Sequence, residues 1–190
     1  ADIAVVELSL VSGEGVDRKD LSLGNGGVDM QSKLVAAVAA VNNFTIVVLR
    51  SPGAIAPLPF LELPSVRAVL LQFYPGSQAG HALAAVLTGD RNPSARLPIS
   101  VPRTMAQTWL TSYPCDQRNN TCSLCGETVD SCAEGHCLPG NKCTQPCVCN
   151  VSYSEGLEIG YRWFDSAHEQ PQFEFGFGLS FTSYSYSDLQ

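Results

Sequence analysis

Residues 28–49 read VDMQSKLVAAVAAVNNFTIVVL, and a change of period inside that stretch decides the fold. Up to Val41 the apolar positions Met30, Leu34, Val35, Val38 and Val41 recur at helical intervals, which predicts an amphipathic helix over 28–41. From Thr45 to Leu49 the run TIVVL is β-branched and apolar throughout, the composition of a buried strand. Outward from this pair, IAVVELSL at 3–10 is continuous enough in its hydrophobicity to predict a strand covered on both faces. Val66 to Phe73 predicts a third strand, after a Pro-rich crossover with room for a short helical turn, and Ala79 to Leu87 a second helix ended by Gly89. Strands alternating with helices at this spacing predict an α/β fold, a mostly parallel sheet with helices on its faces.

Composition sets the outer bounds. The chain has 190 residues, 45% of them hydrophobic, enough for one proper core and too few for two large ones. A formal charge of -7 with no basic patch disfavours nucleic acid and anionic lipid as partners. The longest apolar run, Leu34 to Val41, is far short of the ~20 residues that span a bilayer. No secretory leader stands at the N-terminus, so the chain reads as soluble and either processed or a fragment.

All eight cysteines fall in one segment: Cys115, Cys122, Cys125, Cys132, Cys137, Cys143, Cys147 and Cys149. An even count in a stretch rich in Asn, Gly, Pro and Thr suits a disulfide lobe with too few large apolar residues to hold itself together. The spacing of Cys122 and Cys125, with His136 nearby, also admits structural zinc; bridges using every thiol are the favoured reading, with connectivity open. Sequons at Asn43, Asn119 and Asn150 agree with the secretory route, whereas Asn92 is followed by Pro. The expected layout is a body formed by 1–112 and 151–190, with 113–150 as a cysteine-rich insertion, and a secreted protein.

After the cysteines, SYSEGLEIGYRWFD at 152–165 sets a potential proton donor, Glu155, beside a Gly and an aromatic segment expected to be a strand, the tail packing back on the body. The aromatics Tyr161, Trp163, Phe164, Phe173, Phe175, Phe177 and Phe181 are expected mainly in the core, Trp163 also being suited to a sugar platform. Glu14, Asp17, Arg18 and Asp20 form a charged loop after the first strand, where open α/β sheets bind ligands; closure of that loop by local hydrogen bonds from Asp17 and Arg18 is the preferred reading. Gly24 to Gly27 lacks the Lys-Ser/Thr of a phosphate loop, and His81, His136 and His168 are scattered. No metal or other cofactor is expected.

Four blocks, SGEGVDRKDLSL at 12–23, FYPGSQAGHALAAVLTGDRNPSARLP at 73–98, SYSEGLEIGYRWFD at 152–165 and FEFGFGLSF at 173–181, together resemble the C-terminal α/β sandwich domain of glycoside hydrolase family 3. The family contains many β-glucosidases and β-xylosidases. The resemblance implies an αβα sandwich, here truncated, and retaining hydrolysis by two carboxylates ~5–5.5 Å apart. It assigns the acid/base to Glu155 and a sugar-facing position to Ser12; the nucleophilic Asp belongs to an N-terminal (β/α)8 barrel.

The barrel is absent from this sequence, and so is the first part of the sandwich. Alone, the chain is expected to be inactive, its cut sheet edge covered by a barrel domain, by a second chain or by self-assembly. Two functions follow from the resemblance. One is the acid/base-bearing part of a secreted β-glycosidase with carbohydrate as substrate; the alternative is a non-catalytic extracellular module for binding, assembly or structure.

Overall fold

The computed structural model of the chain describes residues 1–13, 18–108, 115–116, 121–122 and 155–187. Three parallel strands, β1 (Ala4–Ser9), β2 (Thr45–Arg50) and β3 (Val66–Leu71), lie side by side in chain order. Helix α1 (Met30–Ala39) joins the first two, a 3-10 turn at Pro59–Glu62 lies in the next crossover, and α2 (Ala79–Leu87) follows the third. The expected α/β body is therefore present, with each element within a few residues of its predicted span.

The register sets Val6 opposite Val47 and Leu8 opposite Leu49, with Val47 and Leu49 in turn opposite Val69 and Leu71. These side chains share one face of the sheet and form the core with Val35 of α1 and Phe60 of the 3-10 turn. Asp29 starts α1 by accepting the Ser32 amide at 2.8 Å, a cap that satisfies a donor the helix cannot. Gln31 then ties the helix to the sheet, its amide bonding both the N–H and the carbonyl of Ser9 at 2.9 and 3.0 Å.

Two expectations about burial need correction. In β1 only Val6 and Leu8 are buried while Val5 is half exposed, so the strand is covered on one face and not on both. It pairs with β2 alone among the described strands, and an edge strand next to an open face needs only alternate apolar residues. β2, with Val47, Val48 and Leu49 all fully buried in succession, is the strand covered on both sides. In α1 the buried residues are Val35 and Ala39, with Val38 partly covered; Met30 and Leu34, expected on the same stripe, face outward with Val41 just beyond the helix.

The tail departs further from its expected form. The aromatic segment after Gly160 is a helix, α3 (Tyr161–Ser166), because Gly160 turns the chain sharply and Phe164, one turn in, anchors it by burial. Of the seven tail aromatics only Phe164 is buried, while Phe173 packs partly against the core. Tyr161, Phe175, Phe177 and Phe181 are exposed, so most of that set lies outside the core.

The tail nevertheless returns to the body as expected. Val101 and Phe173 form an antiparallel bridge, with the Val101 amide donating to the Phe173 carbonyl at 2.8 Å. Asn92 clasps the chain beyond, donating to Ser180 Oγ at 2.8 Å and accepting the Phe181 amide at 2.8 Å. In the cysteine segment the strands β4 (Cys115–Asp116) and β5 (Thr121–Cys122) pair antiparallel. The expected lobe, its disulfides or zinc, and the sequons at Asn119 and Asn150 otherwise lie outside the described residues. Among those residues no helix is long and apolar enough to cross a membrane.

Candidate functional site at the carboxyl end of the sheet

All three strands run in one direction, so the loops leaving β1, β2 and β3 collect at one end, where ligands of open α/β sheets bind. Ser12 follows β1, Ser51 and Gly53 follow β2, and Phe73 and Tyr74 follow β3. Tyr74 reaches across this end. Its hydroxyl accepts the Ser12 amide at 3.1 Å and donates to the Ser12 carbonyl at 3.3 Å, pinning the first loop by its backbone. Phe73 has a φ of +51°, a conformation costly for a bulky side chain and maintained only where its surroundings over-determine it.

Arg18 reinforces the same end, its guanidinium donating to the Ala54 carbonyl at 2.9 Å. That partner is distant in sequence, so this bond ties the first loop to the chain after β2. Burial lowers the Arg18 pKa, while the nearby Tyr74 and Asp20 oppose the shift. Asp20 does bond locally, accepting the Ser22 amide at 2.7 Å. Glu14 and Asp17 lie outside the described residues. The Gly24–Gly27 segment is a tight turn in which a Cβ on Gly24 would stand 2.5 Å from the Gly27 carbonyl oxygen, so backbone crowding accounts for that glycine.

The chain after α3 is tied to this end through the segment that precedes the cysteines. Ile99 and Val101 line one small cavity together with Leu49, Leu71 and Phe73 at the ends of β2 and β3. Ser100, between them, lines a cleft of about 280 Å³ with Tyr161, Phe164 and Phe175. Gln107 accepts the Arg103 amide at 2.8 Å and donates to Glu169 Oε2 at 2.9 Å and to the Gln170 carbonyl at 3.2 Å. Met105 Sδ accepts the Leu21 amide at 3.3 Å, so one short segment braces both the first loop and the chain after α3.

Glu155 is 9% exposed, one of the few buried polar residues among those described. Its neighbours show the reverse: Leu157 is 79% exposed and Ile159 51%. A solvated surface turn would have the opposite arrangement, carboxylate out and aliphatic groups in. Trp163 is half-buried beside Phe164, their ring centroids 5.0 Å apart at an edge-on angle, an arrangement of packing rather than of an open platform. Sequence reasoning missed Tyr74 and Gln107 as organisers. An aromatic residue directly after a predicted strand was the available signal for Tyr74; Gln107, in a stretch without periodicity, left none.

This geometry is that of an α/β domain with its loops gathered at the carboxyl end of a parallel sheet, and comparison with known proteins assigns its family. Residues 1–181 match the family model for the glycosyl hydrolase family 3 C-terminal domain, and the chain belongs to that family. It is 36% identical over 200 residues to a probable beta-glucosidase L of Aspergillus terreus, covering 100% of this chain and 22% of the relative. Among solved structures, the Trichoderma reesei beta-D-glucoside glucohydrolase superposes with a TM-score of 0.70 at 32% identity, over 98% of this chain and 22% of that one. A Streptomyces venezuelae beta-glucosidase solved with D-glucose gives 0.66 at 36% identity, over 96% of this chain and 19% of its own. The chain thus spans about a fifth of the length of these relatives.

Proposed function

We propose that this chain is the acid/base-bearing portion of a secreted, retaining β-glycosidase of β-glucosidase or β-xylosidase type, with Glu155 as the acid/base. The single observation that carries the reading is the inverted turn, which buries Glu155 and exposes Leu157 and Ile159. Aliphatic groups turned outward around a buried Glu suit a turn that docks against a second body, and the family resemblance implies a barrel that carries the nucleophilic Asp. In this mechanism the barrel Asp attacks the anomeric carbon while Glu155 gives its proton to the departing oxygen. Glu155 then takes a proton from the water that releases the glycosyl-enzyme. Ser12, held by Tyr74, is assigned to the sugar-facing side.

The proposed organisation keeps 1–112 and 151–190 as the sandwich and 113–150 as a disulfide-rich insertion, with the sequon asparagines glycosylated. Of these, Asn43 is exposed just before β2, at the opposite end of the sheet from Ser12 and Tyr74. Six-residue strands separate the two ends by about 20 Å, so a glycan there leaves the candidate site open.

The test is hydrolysis of 4-nitrophenyl β-glucoside and β-xyloside by the native polypeptide with its barrel. Glu155→Gln is expected to lower kcat by about 10²–10⁴-fold without unfolding the protein. Wild-type turnover in that variant removes the assignment. The non-catalytic reading draws on the edge of β1, where Ile3 is 53% and Val5 49% exposed, a surface suited to assembly. It predicts no cleavage by native material together with self-association in sedimentation.

A further inference from the structure

The turn that withdraws Glu155 is made by two glycines, and their surroundings separate two reasons for a glycine. A Cβ built on Gly156 or on Gly160 meets nothing within 4 Å, so crowding selects neither. Both have positive φ, +57° and +58°. What remains is backbone conformation, which L-residues with a side chain resist here.

The Glu158 amide donates to the Glu155 carbonyl at 2.9 Å, closing a four-residue turn with Gly156 and Leu157 at its centre. Gly156 has positive φ and Leu157 does not, which makes this a II′-type turn, the form that takes glycine at its first central position. Four residues on, Gly160 combines φ of 58° with ψ of -131°, a pair close to the region only glycine enters, and directly precedes α3. Its carbonyl accepts the Phe164 amide at 3.3 Å, so the reversal is locked to the helix whose Phe164 is buried. Between the two glycines Leu157, Glu158 and Ile159 are exposed, and just before them Glu155 is buried.

We propose that Gly156 and Gly160 are positioning residues for Glu155: the two reversals they permit set the direction in which its side chain leaves the turn, and so where its carboxyl stands relative to a leaving glycosidic oxygen. The inference rests on the acid/base role proposed above. A side chain at either position forces its φ toward negative values and rotates the Glu155 Cα–Cβ direction away from the reacting oxygen. The nucleophilic half of the reaction, supplied by the barrel, is untouched.

That division predicts a signature. An aryl glucoside with a very acidic phenol, such as 2,4-dinitrophenyl β-glucoside, leaves without protonation, whereas phenyl β-glucoside needs the acid. In the native, barrel-bearing enzyme, Gly156→Ala and Gly160→Ala are expected to lower kcat/KM for the phenyl glucoside at least about tenfold more than for the dinitrophenyl glucoside, in the same direction as Glu155→Gln. The ratio between substrates does not depend on the fraction of enzyme folded. Leu34→Ala, on the outward face of α1, is expected to leave it unchanged.

Equal loss on both substrates, complete loss included, or no loss in either glycine variant overturns the proposal and leaves the acid role standing if Glu155→Gln shows the steep dependence. A flat dependence in Glu155→Gln itself removes the acid role, and the positioning role with it.

Discussion

Tyr74 shows how much one hydroxyl can organise when its backbone is set by strain. Phe73, at φ +51°, redirects the chain leaving β3 so that Tyr74 meets both backbone groups of Ser12, a residue 62 positions earlier. Tyr74→Phe keeps the ring and removes both hydrogen bonds. Two modest bonds at a half-exposed site are worth about 0.5–1.5 kcal/mol each at most, so the expected effect on global stability is small. Hydrogen exchange at the Ser12 amide is the sensitive probe: faster exchange confined to the first loop is expected, and unchanged exchange would contradict the clasp. The position of Tyr74 directly after a predicted strand was legible in the sequence, but its partner was not, because the contact depends on a φ value that a Phe-Tyr pair does not advertise. Glu155 was legible only through its flanking motif, since on composition an isolated Glu in a loop reads as a solvated surface group.

At the scale of elements, periodicity located the strands and helices well and assigned their faces less well. The run TIVVL at 45–49 is buried on both sides as read, but IAVVELSL reads much the same and is buried on one. Local hydrophobicity carries no information on whether a strand is central or at an edge. The same limit explains α1, where Met30 and Leu34 lie on one apolar stripe and Val35 and Ala39 on the adjacent one, and only tertiary packing chose between them. Leu49→Ala, at a fully buried position in the central strand, is expected to cost about 2–5 kcal/mol in chemical denaturation, whereas Leu34→Ala should stay within about 0.5 kcal/mol. Comparable losses at both would mean that α1 presents its other face to the sheet. In the tail, aromatic content suggested a strand where the positive φ of Gly160 starts a helix. Asn92→Ala removes the clasp on Ser180, Phe181 and Thr182, and faster chymotryptic cleavage at Phe181 is the expected outcome. Equal cleavage rates in the wild type and the variant would show that the clasp does not hold the tail.

For the molecule as a whole, the distribution of apolar surface agrees with a domain built to be covered. Ile3 and Val5 along β1, Leu157 and Ile159 beside Glu155, and Phe175 and Phe181 in the tail are all about half exposed or more. A body that presents so many large apolar groups is suited to contacts with neighbouring domains. The proposed glycan at Asn43 would stand at the amino ends of the strands. Asn43→Gln is expected to remove one glycan's mass and leave kcat/KM unchanged, because the sequon stands at the amino ends of the strands.

The central claim is that Glu155 serves as the acid and then as the base of a retaining glycosidase, and chemical rescue tests it most directly. In the barrel-bearing enzyme, Glu155→Ala leaves the glycosyl-enzyme without a base to activate water, while azide attacks the anomeric carbon without losing a proton. With a dinitrophenyl glucoside, added azide is expected to restore turnover and yield the β-glucosyl azide, with net retention. Wild-type turnover in the variant, or a rate indifferent to azide with glucose as the only product, would contradict the account.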